Sequence, residues 1–207
     1  MGPLPDDDAG DDAEPADAGS AAPYRVVLLH GHGELPSSLD HVAAELRRSL
    51  GVGVVQPAGG HRVPAGLAWW PDGHEEPDER SVSELAAAGN TFIGFSQGGA
   101  MALAVAAQRL HRGDGTARAV VVGGFLPGSA AVPSAPAQVL VVHGDDDTVV
   151  DPFHAELVVR RCRRNGCTVS LQHHDGGHEW GAAVTAAVLD WLRSTAGTPA
   201  AGTDERS

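Results

Sequence analysis

Ser96 is the residue of this chain best placed for covalent chemistry. It sits at the centre of Gly94-Phe95-Ser96-Gln97-Gly98-Gly99, between the apolar run Thr91-Phe92-Ile93 and the helix-forming run Ala100-Met101-Ala102-Leu103-Ala104-Val105-Ala106-Ala107. A strand that becomes a helix within so few residues strains the backbone of its central residue, and small residues two before and two after let the backbones approach. The turn lifts the hydroxyl clear of the sheet and aims the first helical N–H groups at whatever binds there. Serine alone is a weak nucleophile; it needs an imidazole to take its proton and a carboxylate to fix the tautomer of that imidazole. Both follow in order. Val139-Leu140-Val141-Val142 reads as a short buried strand entering His143-Gly144-Asp145-Asp146-Asp147-Thr148-Val149-Val150. Val169-Ser170-Leu171-Gln172 reads as another, entering His173-His174-Asp175-Gly176-Gly177-His178-Glu179-Trp180. A carboxylate just past a strand end lies on the same edge of a parallel sheet as the turn at Ser96. His173 and His174 read as strand residues, whereas His178 lies among glycines that let it reach Ser96. From the residues alone the acid stays open among Asp145, Asp146 and Asp147.

The elements that must position these groups alternate along the chain. Strands are predicted at 25–30, 53–56, 91–95, 119–123, 138–143 and 168–173, and helices at 38–50, 82–88, 97–111, 152–165 and 179–193. Short Val/Leu/Ile runs alternating with amphipathic helices predict an α/β fold, a mostly parallel sheet with helices on both faces. Asp151-Pro152 predicts a helix start and Asn165-Gly166 a stop. Ser81-Val82-Ser83-Glu84 has the form of a capping box and Gly89-Asn90 would end that helix after about two turns. The segment 57–79 reads as an irregular loop over the site. No internal repeat is visible.

Four blocks resemble the phospholipase/carboxylesterase family of α/β-hydrolases, which includes the acyl-protein thioesterases. They are Leu29-His30-Gly31-His32-Gly33; residues 94–103 (G-F-S-Q-G-G-A-M-A-L); Gly124-Phe125-Leu126-Pro127; and the pair formed by 143–150 and Gly177-His178-Glu179. The second block is highly specific, and together they span about residues 24 to 193. The resemblance implies Ser96 as nucleophile, His178 as general base and Asp147 as triad acid, because the family pattern reads H-G-x-x-D-x-V-V. It also implies an oxyanion hole from the backbone N–H groups of Gln97 and His32, and Trp69 and Trp70 as walls for an acyl chain or hydrophobic alcohol. Two departures from the family stand out. The stretch from 70 to 94 is short, and the opening strands are missing, which makes this a compact version of the α/β-hydrolase fold.

Composition bounds the rest. The chain has 207 residues and 42% hydrophobic content, enough for one domain with a real core. The formal net charge is −13. Residues 1–23 hold seven acids and no base, so 1–23 is expected to be a disordered acidic tail, 24–193 the hydrolase domain and 194–207 a second disordered tail. The domain itself keeps 18 acids against 13 bases, which argues against a nucleic-acid partner. No membrane span and no signal peptide are read, so a cytoplasmic protein is expected. Cys162 and Cys167 are read as two reduced thiols, with a local disulfide as the alternative. His30, His32, His143, His173, His174 and His178 raise a metal reading, but zinc needs three or four converging ligands and would compete with the triad; neither metal nor cofactor is expected. The expected function is hydrolysis of short to medium acyl esters or thioesters, a small-molecule substrate, through an acyl-enzyme on Ser96. The alternatives are a non-catalytic hydrolase scaffold that binds a ligand or partner, and an acyltransferase with the same triad.

Overall fold

The computed structural model describes residues 25–74, 76–129 and 131–195; the predicted acidic tail and nearly all of the predicted C-terminal tail lie outside these. Strand β1 (Arg25–Leu29) leads through a short 3-10 turn (Pro36–Leu39) into α1 (Asp40–Leu50) and β2 (Gly53–Val55). A hairpin follows, β3 (His61–Val63) and β4 (Gly66–Ala68), and then α2 (Glu79–Ala86), β5 (Thr91–Phe95) and α3 (Gln97–His111). The chain closes with β6 (Arg118–Val122), β7 (Gln138–Gly144), α4 (Phe153–Arg164), β8 (Thr168–His174) and α5 (Ala182–Thr195). Six strands form one sheet in the order β2-β1-β5-β6-β7-β8, every neighbouring pair parallel.

Alternation along the central strands divides the core into two apolar layers. Val27, Leu29, Phe92, Val121, Val139 and Val141 face one cluster, which takes in residues of α2, α3 and α4. Val26, Leu28, Ile93, Val120, Leu140 and Val142 face the other, which is closed by α1 and α5. Each fully buried Val or Leu contributes about 1.5–3 kcal/mol, so a central strand with both faces covered is the most strongly held part of the sheet. That is why these strands read as continuous apolar runs. Strand β8 is one of the two edges, and its residues are half-buried or exposed.

Strand order also creates the crevice. From β1 the chain moves outward to β2, and then returns to the other side of β1 with β5. The loops after β1 and β5 therefore leave adjacent strands in opposite directions, the arrangement that opens a ligand cleft at the carboxyl edge of a parallel sheet.

Several local expectations are corrected. The segment read as an irregular loop holds the β3–β4 hairpin, and Leu67 also bridges to Glu34. Helix α2 begins at Glu79, because Asp78 supplies the cap: its Oδ1 accepts the Ser81 N–H at 2.8 Å. Ser81 is thus the capped residue and not the cap. The two-turn length holds. Helix α5 starts at Ala182, which leaves Glu179 and Trp180 in the preceding loop, and it runs on through Ser194 and Thr195, two residues expected in the tail. Asp151 does cap α4, since its Oδ1 accepts the Phe153 N–H at 2.8 Å, and Gly166 ends the turn beyond it at φ 82. Cys162 and Cys167 are buried free thiols. Among the described residues, no helix is long and apolar enough to cross a membrane.

Candidate active site

The turn between β5 and α3 takes the form its sequence demands. Ser96 has φ 54 and ψ −119, and it is the only non-glycine with positive φ among the described residues. Such a conformation costs about 1–3 kcal/mol and persists only where the surroundings over-determine it. Here they do so by backbone contact. A β-carbon at Gly94 would overlap the Gly98 carbonyl, and one at Gly98 would overlap the Leu29 carbonyl and lie 2.6 Å from His30 O. The Ser96 N–H is tied to Val122 O at 2.8 Å, and the Gly99 N–H closes on Ser96 O at 2.9 Å.

Residues 30–34, after β1, pack directly against this turn and are held from three sides. Gly31 N–H donates to Glu34 Oε2 at 2.8 Å. Gly33 N–H donates to Leu67 O at 2.8 Å and Leu67 N–H returns to Glu34 O at 3.0 Å, so the hairpin clamps the loop. His30 is fully buried; its Nε2 accepts the Gly59 N–H at 3.0 Å, which leaves Nδ1 to donate to Gly31 O at 2.8 Å. Burial holds its pKa below the ordinary histidine value and favours that neutral tautomer. His30 is therefore a brace for the loop. The side chain of His32 reaches across the mouth to Asp72, with Nε2 2.7 Å from Oδ1.

Gln97 was singled out only for its backbone N–H, but its side chain carries a second task that no motif announced. Its Oε1 accepts the Trp69 N–H at 2.9 Å and its Nε2 donates to Trp70 O at 3.2 Å. The first residue of α3 thereby anchors the tryptophan segment. Trp69, expected as a pocket wall, packs inward. At 2% exposure it stacks on His30, with ring centroids 4.9 Å apart, and donates Nε1–H to His30 O at 2.8 Å. It supports the loop from beneath. Trp70 is also buried but stands edge-on to the half-buried Phe125, whose ring in turn faces His154.

The loops after β7 and β8 bring the acid and the imidazole together. His178 Nδ1 lies 2.7 Å from Asp147 Oδ2, and the His178 ring packs on Phe95, the residue before Ser96, at a centroid distance of 4.8 Å. The Asp147 side chain is fully buried, and its Oδ1 accepts the N–H groups of Val149 and Val150 at 2.9 and 2.8 Å. Burial alone would raise its pKa, but the Val150 N–H, His178 and the Val149 N–H outweigh that and hold the carboxyl below its usual range. It is ionised at neutral pH. Asp145 instead pairs at the surface with His173, at 2.8 Å. The two loops meet backbone to backbone: Asp145 N–H bonds to His174 O and Asp146 N–H to Gly176 O, at 2.9 and 3.0 Å. A buried carboxylate on one imidazole nitrogen makes the other nitrogen a proton acceptor, which is the chemistry of a general base. Among the described residues, no group of three or more His, Cys, Asp or Glu side chains is arranged to hold a metal ion.

Residues 81–180, a stretch that includes Ser96, Asp147 and His178, match the family described as Serine hydrolase (FSH1). No curated protein matches the chain. Among solved structures the chain is similar to a carboxylesterase from Bacillus cereus, at 15% identity and TM-score 0.69 over 83% of this chain and 88% of that one. It is also similar to esterase PE8, at 24% identity and TM-score 0.68 over 84% and 93%. A third likeness is to acyl-protein thioesterase 2 from Zea mays, at 21% identity and TM-score 0.61 over 84% and 94%. At these identities the likeness is one of fold.

Proposed function

We propose that this chain, a serine hydrolase of the α/β-hydrolase fold, cleaves carboxylic esters or thioesters of short to medium acyl chains by two-step acyl transfer. The observation that carries the reading is the strained Ser96 at the carboxyl end of β5, with Phe95 beside it packed on an imidazole that a buried carboxylate holds. In the proposed reaction His178 takes the Ser96 proton as Oγ attacks the acyl carbonyl. Asp147 keeps the His178 proton on Nδ1 and stabilises the imidazolium. The N–H groups of Gln97 and His32 receive the oxyanion; removing one oxyanion donor costs about 2.7–4 kcal/mol in a serine protease of unrelated fold. His178 then protonates the departing alcohol or thiol, and water, deprotonated by the same imidazole, releases the acid from Ser96.

Trp70 and Phe125 are proposed as the apolar wall that meets the acyl chain, in keeping with their edge contact of 6.4 Å between centroids. Trp69 and the Gln97 side chain act behind them by fixing the segment in place. Intact acid and base positions disfavour the scaffold alternative, and no observation favours an acceptor other than water.

The test is covalent labelling of the full chain with an organophosphonate, together with p-nitrophenyl esters graded by chain length. Expected are one label on Ser96 and a turnover that falls by about 10⁶ in Ser96→Ala. Labelling retained in that variant would remove Ser96 as the nucleophile.

A further inference from the structure

We infer that His143, outside the triad, is a positioning residue for the triad acid: its imidazole fixes the Val150 peptide, and through it the Asp147 carboxylate, so that Oδ2 faces His178. The inference deepens the reading above and rests on it. The His143 side chain is fully buried, with Nε2 2.9 Å from Val150 O and 3.3 Å from Asp147 Oδ2. Val150 O is an acceptor, so the proton is assigned to Nε2, which donates to it; Asp147 Oδ2 lies against the same nitrogen without hydrogen-bond geometry.

The other ring nitrogen supplies the argument. Nδ1 is buried and has no hydrogen-bond partner among the described residues. An unpaired buried polar atom is destabilising, and a flat apolar ring would fill the same space without that cost. Packing therefore does not explain a histidine here; Nε2 does. It joins the carboxylate and the Val150 peptide into one closed arrangement. Val150 N–H donates to Oδ1 at 2.8 Å, Val150 O receives His143 Nε2–H, and Oδ2 sits 3.3 Å from the same Nε2. Rotation of the carboxylate, which would swing Oδ2 away from His178, breaks this arrangement at two points. Asp147 thus accepts three hydrogen bonds, from Val149, Val150 and His178, while His143 Nε2 lies against Oδ2. His143 touches no substrate in this arrangement, so its effect falls on turnover and leaves substrate affinity alone.

The test uses the full chain with two substitutions. His143→Phe keeps a flat ring and removes the donor; His143→Gln ends in an N–H as many bonds from the backbone as Nε2. Readouts are kcat and KM on a short p-nitrophenyl ester, the melting temperature, and the far-downfield proton resonance of the hydrogen between His178 Nδ1 and Asp147. In folded His143→Phe, kcat should fall about 10- to 100-fold with KM changed by less than about twofold, and the resonance should shift or vanish. His143→Gln should recover both to within about threefold. If the Phe protein does not fold, His143→Asn, whose amide ends short at the Nδ1 position, takes its place. An unchanged kcat and resonance in the donor-less variant overturns the inference, as does a Gln variant no better than Phe. The resonance does not require Ser96. If the phosphonate fails to label Ser96 yet His143→Phe loses the resonance, the acyl-transfer reading fails and the positioning role stands.

Discussion

Replacing Gly94 with alanine puts the backbone packing of the turn to a quantitative test. The new β-carbon would lie 2.5 Å from Gly99 N and closer still to the Gly98 carbonyl, whereas ordinary contact begins at 3.4 Å. Strand and helix must therefore part by about 1 Å, and the atoms in the way are backbone, with no side chain able to swing aside. Overpacking of this kind costs about 1–3 kcal/mol, and a rigid backbone clash belongs at the upper end. For a domain of this size each kcal/mol lowers the melting temperature by about 2–4 °C, so a drop of about 6–12 °C is expected. A displacement of about 1 Å at a catalytic group also lowers turnover by about a hundredfold. Differential scanning calorimetry and p-nitrophenyl ester kinetics measure the two effects. Gly53→Ala is the control, since its β-carbon meets nothing within 4 Å, and surface changes of that sort stay within about 0.5 kcal/mol. A Gly94→Ala protein that melts within about 2 °C of the parent and keeps its turnover would refute the steric reasoning.

Two further outcomes concern the acid. Asp147→Asn should lower turnover by about 10⁴, whereas Asp145→Asn, which breaks only the surface pair with His173, should cost less than about tenfold; a severe Asp145 variant would shift the assignment. The depressed pKa of Asp147 makes its ionised form a source of stability that is fully present above about pH 4, the unfolded carboxyl value, and is lost as pH falls through the folded value. The parent's advantage over Asp147→Asn in urea midpoint should therefore be flat from about pH 7 to 5 and shrink below about pH 4, and a gap that stays constant or widens under acid would contradict this.

The sheet was legible because its central strands are buried on both faces and must be apolar along their length, as at 92–95 and 139–142. The turn at Ser96 was legible for a different reason: its glycines are demanded by backbone overlap, and an overlap leaves no alternative residue. The β3–β4 hairpin left no such mark. Its strands have three residues each, Pro64 and Ala65 join them without a glycine or asparagine turn signal, and its register depends on Leu67 meeting Gly33 and Glu34, far away in sequence. The cap of α2 was misplaced because Asp78 and Ser81 both have capping side chains, and the choice is made by where the chain leaves the hairpin. The second role of Gln97 was invisible because a side chain that bonds to a distant backbone leaves no periodicity. The packing of Trp69 was invisible for another reason: an aromatic beside a nucleophile looks the same in sequence whether it lines the cleft or holds up its floor.

The groups proposed to react are spaced by main chain meeting main chain. Gly94 lies against Gly98, Gly98 against Leu29, and Gly144, where the acid loop begins, against the carbonyls of Gly176 and Gly177 in the loop of His178. Distances set this way do not depend on which side chains surround them. Trp70 and Phe125, proposed above as the acyl wall, can thus be exchanged without moving the turn at Ser96. The fold thereby assigns this spacing to residues that have no side chain to lose.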